Sequence, residues 1–227
     1  MSMTSTKPVP PPLPAGRSDQ ASGRVVPLPF LAEGEQALVQ ALLAGNAGAK
    51  AAFFTRYAPD VERLVTHLIG LDRDLADILQ EVFVQALSSI HALRDPAALK
   101  PWLLRIATHC ARRTLRGRTR RNWLRFFVDA EEEARNAPVS PAADIEGRET
   151  LHAVYGVLDR VPADERIAFA LRYIDGMELT EIAAACSVSL ATTKRRLYRA
   201  EERFLRLARK HPLLEQWVER GSRWQDR

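Results

Sequence analysis

Apolar residues recur at offsets of three and four through most of this chain, and no segment reads convincingly as a strand. The cleanest stripe is Leu75, Ile78, Leu79, Val82, Ala86, Leu87 and Ile90, which all fall on one face of a helix. Ahead of it, Leu38, Leu42 and Leu43 form a short stripe ending near Gly45. Phe53, Tyr57, Val61, Leu64, Val65 and Leu68 form a longer one closed by Gly70. After a turn at Asp95 and Pro96, Trp102, Leu103, Ile106, Ala107 and Cys110 begin another. Such faces are buried by packing helix on helix, so the first part of the chain reads as a compact bundle of about four helices.

Composition then changes. "VDAEEEARNAPVSPAADIEGRE" is acidic, contains two prolines and has no sustained apolar period, so it reads as a flexible linker that lets two domains sit well apart. Beyond it, Leu151, Val154, Tyr155 and Leu158 share a helical face. A further helix starts at "VPADER", where Pro162 and the acids suit an N-terminus, and ends near Gly176. The expected partition is a disordered Pro-rich tail over 1–30, a first domain over 31–122, a linker over 123–147, a second domain over 148–211 and a tail over 212–227. The fold class is all-α, two small helical domains joined by that linker.

The 227 residues carry 33 Lys and Arg against 28 Asp and Glu, a formal charge of +5, so where the cations cluster matters more than their sum. Cys110 and Cys186 lie far apart on apolar faces and read as core thiols in a reducing compartment. The N-terminus has no apolar signal core, and no stretch is long and apolar enough to span a bilayer, which points to a soluble intracellular protein without membrane insertion. The five histidines, His67, His91, His109, His152 and His211, are scattered, so no metal site is expected. There is no phosphate-cradling Gly-rich loop, no HExxH and no nucleophile with a base. Catalytic residues and cofactors are therefore expected to be absent, and an enzyme has little support.

Cations do cluster, in two places. In "LTEIAAACSVSLATTKRRLYRA", Leu179, Ile182, Ala183 and Cys186 give a short apolar helix with Thr180 as N-cap. "SVS" makes the turn, and Ser189 caps a second helix. Leu197, Ala200, Phe204 and Leu207 form that helix's buried seam, while Lys194, Arg195, Arg199, Arg203 and Arg206 project from other faces. A short helix propping a basic one is the helix-turn-helix arrangement that fits the DNA major groove. The second cluster closes the first domain: Arg105, Arg112, Arg113, Arg116, Arg118, Arg120 and Arg121 in "KPWLLRIATHCARRTLRGRTRR". An Arg-rich surface with an aromatic beside it suits single-stranded or melted DNA, although Trp102 fits core packing equally well.

In this order, "DILQEVFVQALSSI", "WLLRIATHCARRTL", the Pro-containing linker and "LTEIAAACSVSLATTKRRLYRA" resemble the extracytoplasmic-function (ECF) sigma factors of bacterial RNA polymerase, over about residues 51–208. The resemblance implies a four-helix sigma region 2 bundle and a helix-turn-helix sigma region 4. It implies a protein that binds core RNA polymerase, at the clamp and flap, and directs it to promoter DNA. Asp77, Gln80, Glu81 and Phe83 fall on the positions that dock on the clamp of the largest polymerase subunit. Arg94, Trp102, Arg105, His109, Arg112, Arg113 and Arg116 fall in the part that captures the −10 element. Thr192, Lys194, Arg195, Tyr198 and Arg199 fall in the part that reads the −35 element. The linker would run through the polymerase channel, and an anti-sigma factor is the further partner implied.

The sequence departs from the family at His109, often Asn, and at Arg113, often Asp or Asn. Ala191 stands where Gly is common and Thr193 where Val is usual. The alternative carried by the residues themselves is a polymerase-independent helix-turn-helix regulator.

Overall fold

The computed structural model describes residues 34–70, 74–125 and 145–220. The expectations for the N-terminal tail, for most of the linker and for residues 221–227 lie outside them. Among the described residues the fold is all helical. In order it runs α1 (Glu35–Leu43), α2 (Ala47–Ile69), α3 (Leu75–Ser89), α4 (Leu99–Arg125), α5 (Ile145–Leu158), α6 (Ala163–Tyr173), α7 (Leu179–Cys186), α8 (Leu190–Ala208) and α9 (Pro212–Arg220). Two 3₁₀ turns, Ile90–Ala92 and Pro96–Ala98, join α3 to α4.

Helix boundaries follow local chemistry. The Asn46 side chain accepts the Ala49 amide at the start of α2. Gly45, Gly70 and Gly176 take positive φ where helices stop. Asp95 caps the turn at Pro96 by accepting the Ala97 amide. Ser189 caps α8 as its sequence suggests, its Oγ accepting the Thr192 amide at 3.2 Å. Ser189→Ala should therefore cost about 1 kcal/mol, read as a lower urea midpoint with an unchanged m-value.

The expected N-cap of α7 is corrected. It is Glu178 rather than Thr180, and the Glu181 carboxylate accepts the Glu178 amide at 2.8 Å in a capping box. Residues 212–220, read from sequence as tail, form α9, which packs on α5 and α8 through fully buried Leu214.

Two apolar clusters organise the packing, and one of them draws residues from both sides of the linker. One joins α1 to α4, through residues such as Leu38, Phe53, Val61, Leu68, Val82 and Leu103, to Ile167, Ala170 and Leu171 of α6 and to Ile182 and Cys186 of α7. The other gathers Ala153, Val157, Leu158, Phe169, Ala200, Phe204, Ala208 and Leu214 from α5, α6, α8 and α9. Helix α6 is thus buried on nearly every side: Ile167 and Leu171 face the first cluster, while Phe169 stacks on Phe204 in the second.

Polar anchors hold the junction. Arg166, 2% exposed, donates from Nε to the Leu68 carbonyl at 3.0 Å, pairs with Asp159 and lies over the Tyr155 ring. The Tyr155 hydroxyl donates to the carbonyls of Thr66 and His67, at 3.2 Å each. Those groups sit in the last turn of α2, where the Thr66 carbonyl also accepts the Gly70 amide at 2.8 Å and the carbonyls after it lack intrahelical donors.

Candidate nucleic-acid interface

Helix α8 divides its cations between two directions. Lys194, Arg195, Tyr198 and Arg199 lie one and four residues apart, so they share one face, and all four are exposed, Tyr198 to 67%. Among the described residues no carboxylate pairs with Lys194, Arg195 or Arg199. Thr192, half-buried, accepts a hydrogen bond from the Ser189 hydroxyl at 3.0 Å and borders this face. On the opposite side, Arg196 reaches Asp164 at 3.3 Å and Arg203 reaches Glu165 at 2.8 Å, both in the first turn of α6. Arg203 is therefore turned inward, where the sequence reading had it projecting with the others.

The seat of α8 is built by α7 and the turn after it. Ile182, Ala183 and Cys186 are buried against neighbouring helices. Ser187 adopts the left-handed conformation, φ 55°, which ends α7 sharply and lets Ser189 begin the next helix. Thr193 is buried and its hydroxyl donates to the Ser189 carbonyl, fixing the first turn of α8. The result is a rigid platform with a cationic, aromatic-bearing outer face.

On α4, Arg105, His109, Arg112 and Arg116 are spaced four, three and four apart and make one row. Arg105 is exposed, as is Arg94 in the loop ahead. The other three meet the second domain. His109 Nε2 lies 3.3 Å from the Ser187 hydroxyl. Arg112 donates to the Cys186 carbonyl at 3.1 Å and pairs with Asp164 at 3.2 Å. Arg116 reaches Asp164 at 2.7 Å. Burial first, then Arg112 and Arg105, hold the His109 imidazole below the usual histidine range, so it is neutral at pH 7. Arg113 points elsewhere and pairs with Glu81 of α3. Trp102 is 8% exposed and belongs to the first apolar cluster, which gives it the core position that the sequence allows.

On α3, Asp77 and Gln80 are exposed and Glu81 is half-buried against Arg113. Phe83 is 5% exposed, edge-on to Phe53 at 5.5 Å and tilted against Phe54 at 4.8 Å. Two apolar side chains that sequence reasoning missed, Phe54 and Val84, lie more than half exposed on α2 and α3. Asp164 was missed as well. Its only signal was its place in the first turn of a helix, where an acid needs no further explanation.

Burial pushes the Cys110 and Cys186 thiols up, as befits unreactive core residues, and both are free. Among the described residues, no cluster of His, Cys, Asp or Glu could hold a metal ion, and no helix is long and apolar enough to cross a membrane.

A helical bundle carrying a row of arginines, packed beside a helix-turn-helix with a free basic face, describes a DNA-directed transcription protein, and comparison with known proteins agrees. A family model described as Sigma-70 region 2 matches residues 53–121, and one described as Sigma-70, region 4 matches residues 151–204. The ECF RNA polymerase sigma-E factor of Escherichia coli (strain K12) is 30% identical over 175 residues, 74% of this chain and 91% of that protein. The sigma-E factor of Haemophilus influenzae is 28% identical over 176 residues, 74% of this chain and 92% of that protein.

The chain belongs to the sigma-70 family, among the ECF sigma factors. Sigma factors direct promoter recognition and catalyse no reaction themselves. At 22% identity, the fold is also that of CnrH, solved in complex with the cytosolic domain of CnrY, with a TM-score of 0.51 over 79% of this chain and 99% of that one. It is shared too with the sigma factor RpoE solved with the anti-sigma factor NepR from Bartonella quintana, TM-score 0.50, 22% identity, over 68% of this chain and 92% of that one.

Proposed function

We propose that this sigma factor reads the −35 duplex with the outer face of α8, holds the melted −10 strand along α4 and docks on core RNA polymerase through α3. The observation that carries this reading is the free face of Lys194, Arg195, Tyr198 and Arg199 on a helix held rigidly by α7. Such a face can lie in a major groove, with its N-terminal residues at base edges and its flanking cations at phosphates. The row Arg105, His109, Arg112 and Arg116, with Arg94 ahead of it, supplies cations spaced along a strand. A neutral His109 can donate or accept one hydrogen bond to a base. Binding energy from the captured strand offsets the cost of unpairing.

On α3, Asp77, Gln80 and Glu81 form the docking face for the clamp of the largest subunit, with the second domain expected at the flap. Phe83 supports that face from behind. The protein acts in the cytoplasm, on the nucleoid when polymerase-bound. By analogy with the solved complexes named above, an anti-sigma factor is its expected inhibitor.

Run-off transcription tests this, using sigma-free core polymerase with and without the chain on a library of upstream regions. Discrete starts that depend on the protein support the reading. Sequence-specific duplex binding without core association would replace it with a polymerase-independent regulator.

The docking face has its own test. Replacing Gln80 and Glu81 together by Ala should weaken core binding by up to about thirtyfold, because polar interface contacts are worth about 1 kcal/mol each. Gln80→Ala alone separates this from the release of Arg113, which Glu81 holds. Unchanged core affinity in both variants would remove α3 from the interface.

A further inference from the structure

The outer face of α8 carries cations from its second turn onward, but its leading turn carries none. Leu190 and Ala191, the first two residues of the helix, are both exposed, Leu190 to 40%. Ala191 stands four residues before Arg195 and seven before Tyr198, so the three lie along one line of that face. The line is turned away from the buried seam of Leu197, Ala200 and Phe204.

The hydroxyls of the leading turn are already engaged. Ser189 Oγ accepts the Thr192 amide at 3.2 Å and donates to the Thr192 hydroxyl oxygen at 3.0 Å. Thr193 is buried, and its hydroxyl donates to the Ser189 carbonyl. What the turn offers to an incoming surface is therefore mainly hydrocarbon, the isobutyl group of Leu190 and the methyl group of Ala191.

In a duplex major groove the base edges present mostly hydrogen-bond donors and acceptors. The hydrocarbon group among them is the C5 methyl of thymine, which apolar side chains contact. The leading turn of a groove-bound helix is also the part nearest the base edges. Leu190 and Ala191 cannot satisfy a donor or acceptor, and covering one would leave it unpaired. Against a thymine methyl they forfeit no hydrogen bond and remove hydrocarbon from water.

We propose that Ala191, flanked by Leu190, is a specificity residue that selects thymine at its position in the duplex. The inference rests on α8 being the duplex-reading helix and adds the base chemistry that its leading turn accepts. Arg195, one turn on, supplies the polar contact. The face thus reads a methyl group and a hydrogen-bonding edge side by side.

Competition among promoter duplexes for the holoenzyme, formed from core polymerase and the full chain, tests this. The duplex is one that run-off transcription selects from the upstream library. Each thymine of its upstream element is replaced in turn by deoxyuridine, which keeps the hydrogen-bonding groups and lacks only the methyl. One buried methyl group corresponds to about fourfold in affinity. The expected result is a loss of about that size at a single site in the element. In Ala191→Gly the thymine and uracil duplexes should compete equally there, and Leu190→Ala should reduce the discrimination without removing it. Each variant is compared with itself, so a general loss of helix stability cancels.

Equal competition at every position overturns the inference, and so does a discrimination that Ala191→Gly leaves unchanged. In both cases α8 still reads the duplex, provided Arg195→Ala weakens holoenzyme binding to the same DNA. If Arg195→Ala and Arg199→Ala leave that binding intact, the reading of α8 fails and the thymine assignment fails with it.

Discussion

Arg195 and Arg199 replaced together by alanine should abolish most promoter-directed transcription while leaving the protein as stable as before. Both side chains are exposed, and no carboxylate among the described residues holds either one, so truncation removes nothing the fold uses. Each contact to a base edge is worth about 1–3 kcal/mol. The pair together therefore lowers run-off transcription from about thirtyfold upward, if the two act independently. If they touch only phosphates, the loss is similar on every template and the salt slope falls by about two. Arg203→Ala is the control: Arg203 pairs with Glu165 at 2.8 Å, so it should lower the melting temperature and leave template choice intact. Full transcription from the double variant would take the outer face of α8 out of the mechanism.

The contrast between Arg199 and Arg203 also shows where sequence reading stops. Helical period places the two on adjacent turns, and both read as outward cations. Only the arrival of Glu165 from α6 turns Arg203 inward. Likewise, nothing local announces the partner of Arg112 and Arg116, because Asp164 lies 48 residues beyond Arg116. Local chemistry was far more legible. The stripes of α2, α3 and α8, the stops at Gly45, Gly70 and Gly176, and the Ser189 cap are set within a few residues, and the structure contains each of them.

Two local misreadings are instructive. Thr180 looked like the better cap because a hydroxyl caps well, but the Glu178 to Glu181 spacing let α7 start earlier. The first turn of α9 shows only Leu213 and Leu214 after its proline, too short a pattern for periodicity to decide. The largest gap concerns α6. "ERIAFALRY" has small or apolar residues on nearly every side, and that lack of a wet face was the available sign of a helix buried between two cores. Read that way, the linker permits separation of the halves, but α6 gives each half a reason to meet.

That meeting has a narrow point at Gly70, where we expect Gly70→Ala to be among the most damaging single-atom additions in the chain. Gly70 ends α2 at φ 83° and ψ −174°, a region that side-chain-bearing residues enter at a cost of about 1–3 kcal/mol. Its added Cβ would stand 3.0 Å from Cδ1 and 3.1 Å from Cγ of Tyr155. The ring cannot simply swing away, because its hydroxyl is donated to the Thr66 and His67 carbonyls and Arg166 lies over its face. Overpacking of this kind adds about 1–3 kcal/mol, so urea denaturation should show a loss of about 2 kcal/mol or more.

Combining Gly70→Ala with Tyr155→Ala separates the two causes. The double variant should be less destabilised than the sum of the singles, since the steric part vanishes while the backbone part stays. Additive losses would show that the ring accommodates the methyl group. Because Tyr155 belongs to α5 and Gly70 to α2, the steric part is felt at the junction between the halves. Gly70→Ala should therefore also lengthen pulsed dipolar distances between spin labels at Ala51→Cys on α2 and Glu202→Cys on α8, both exposed positions.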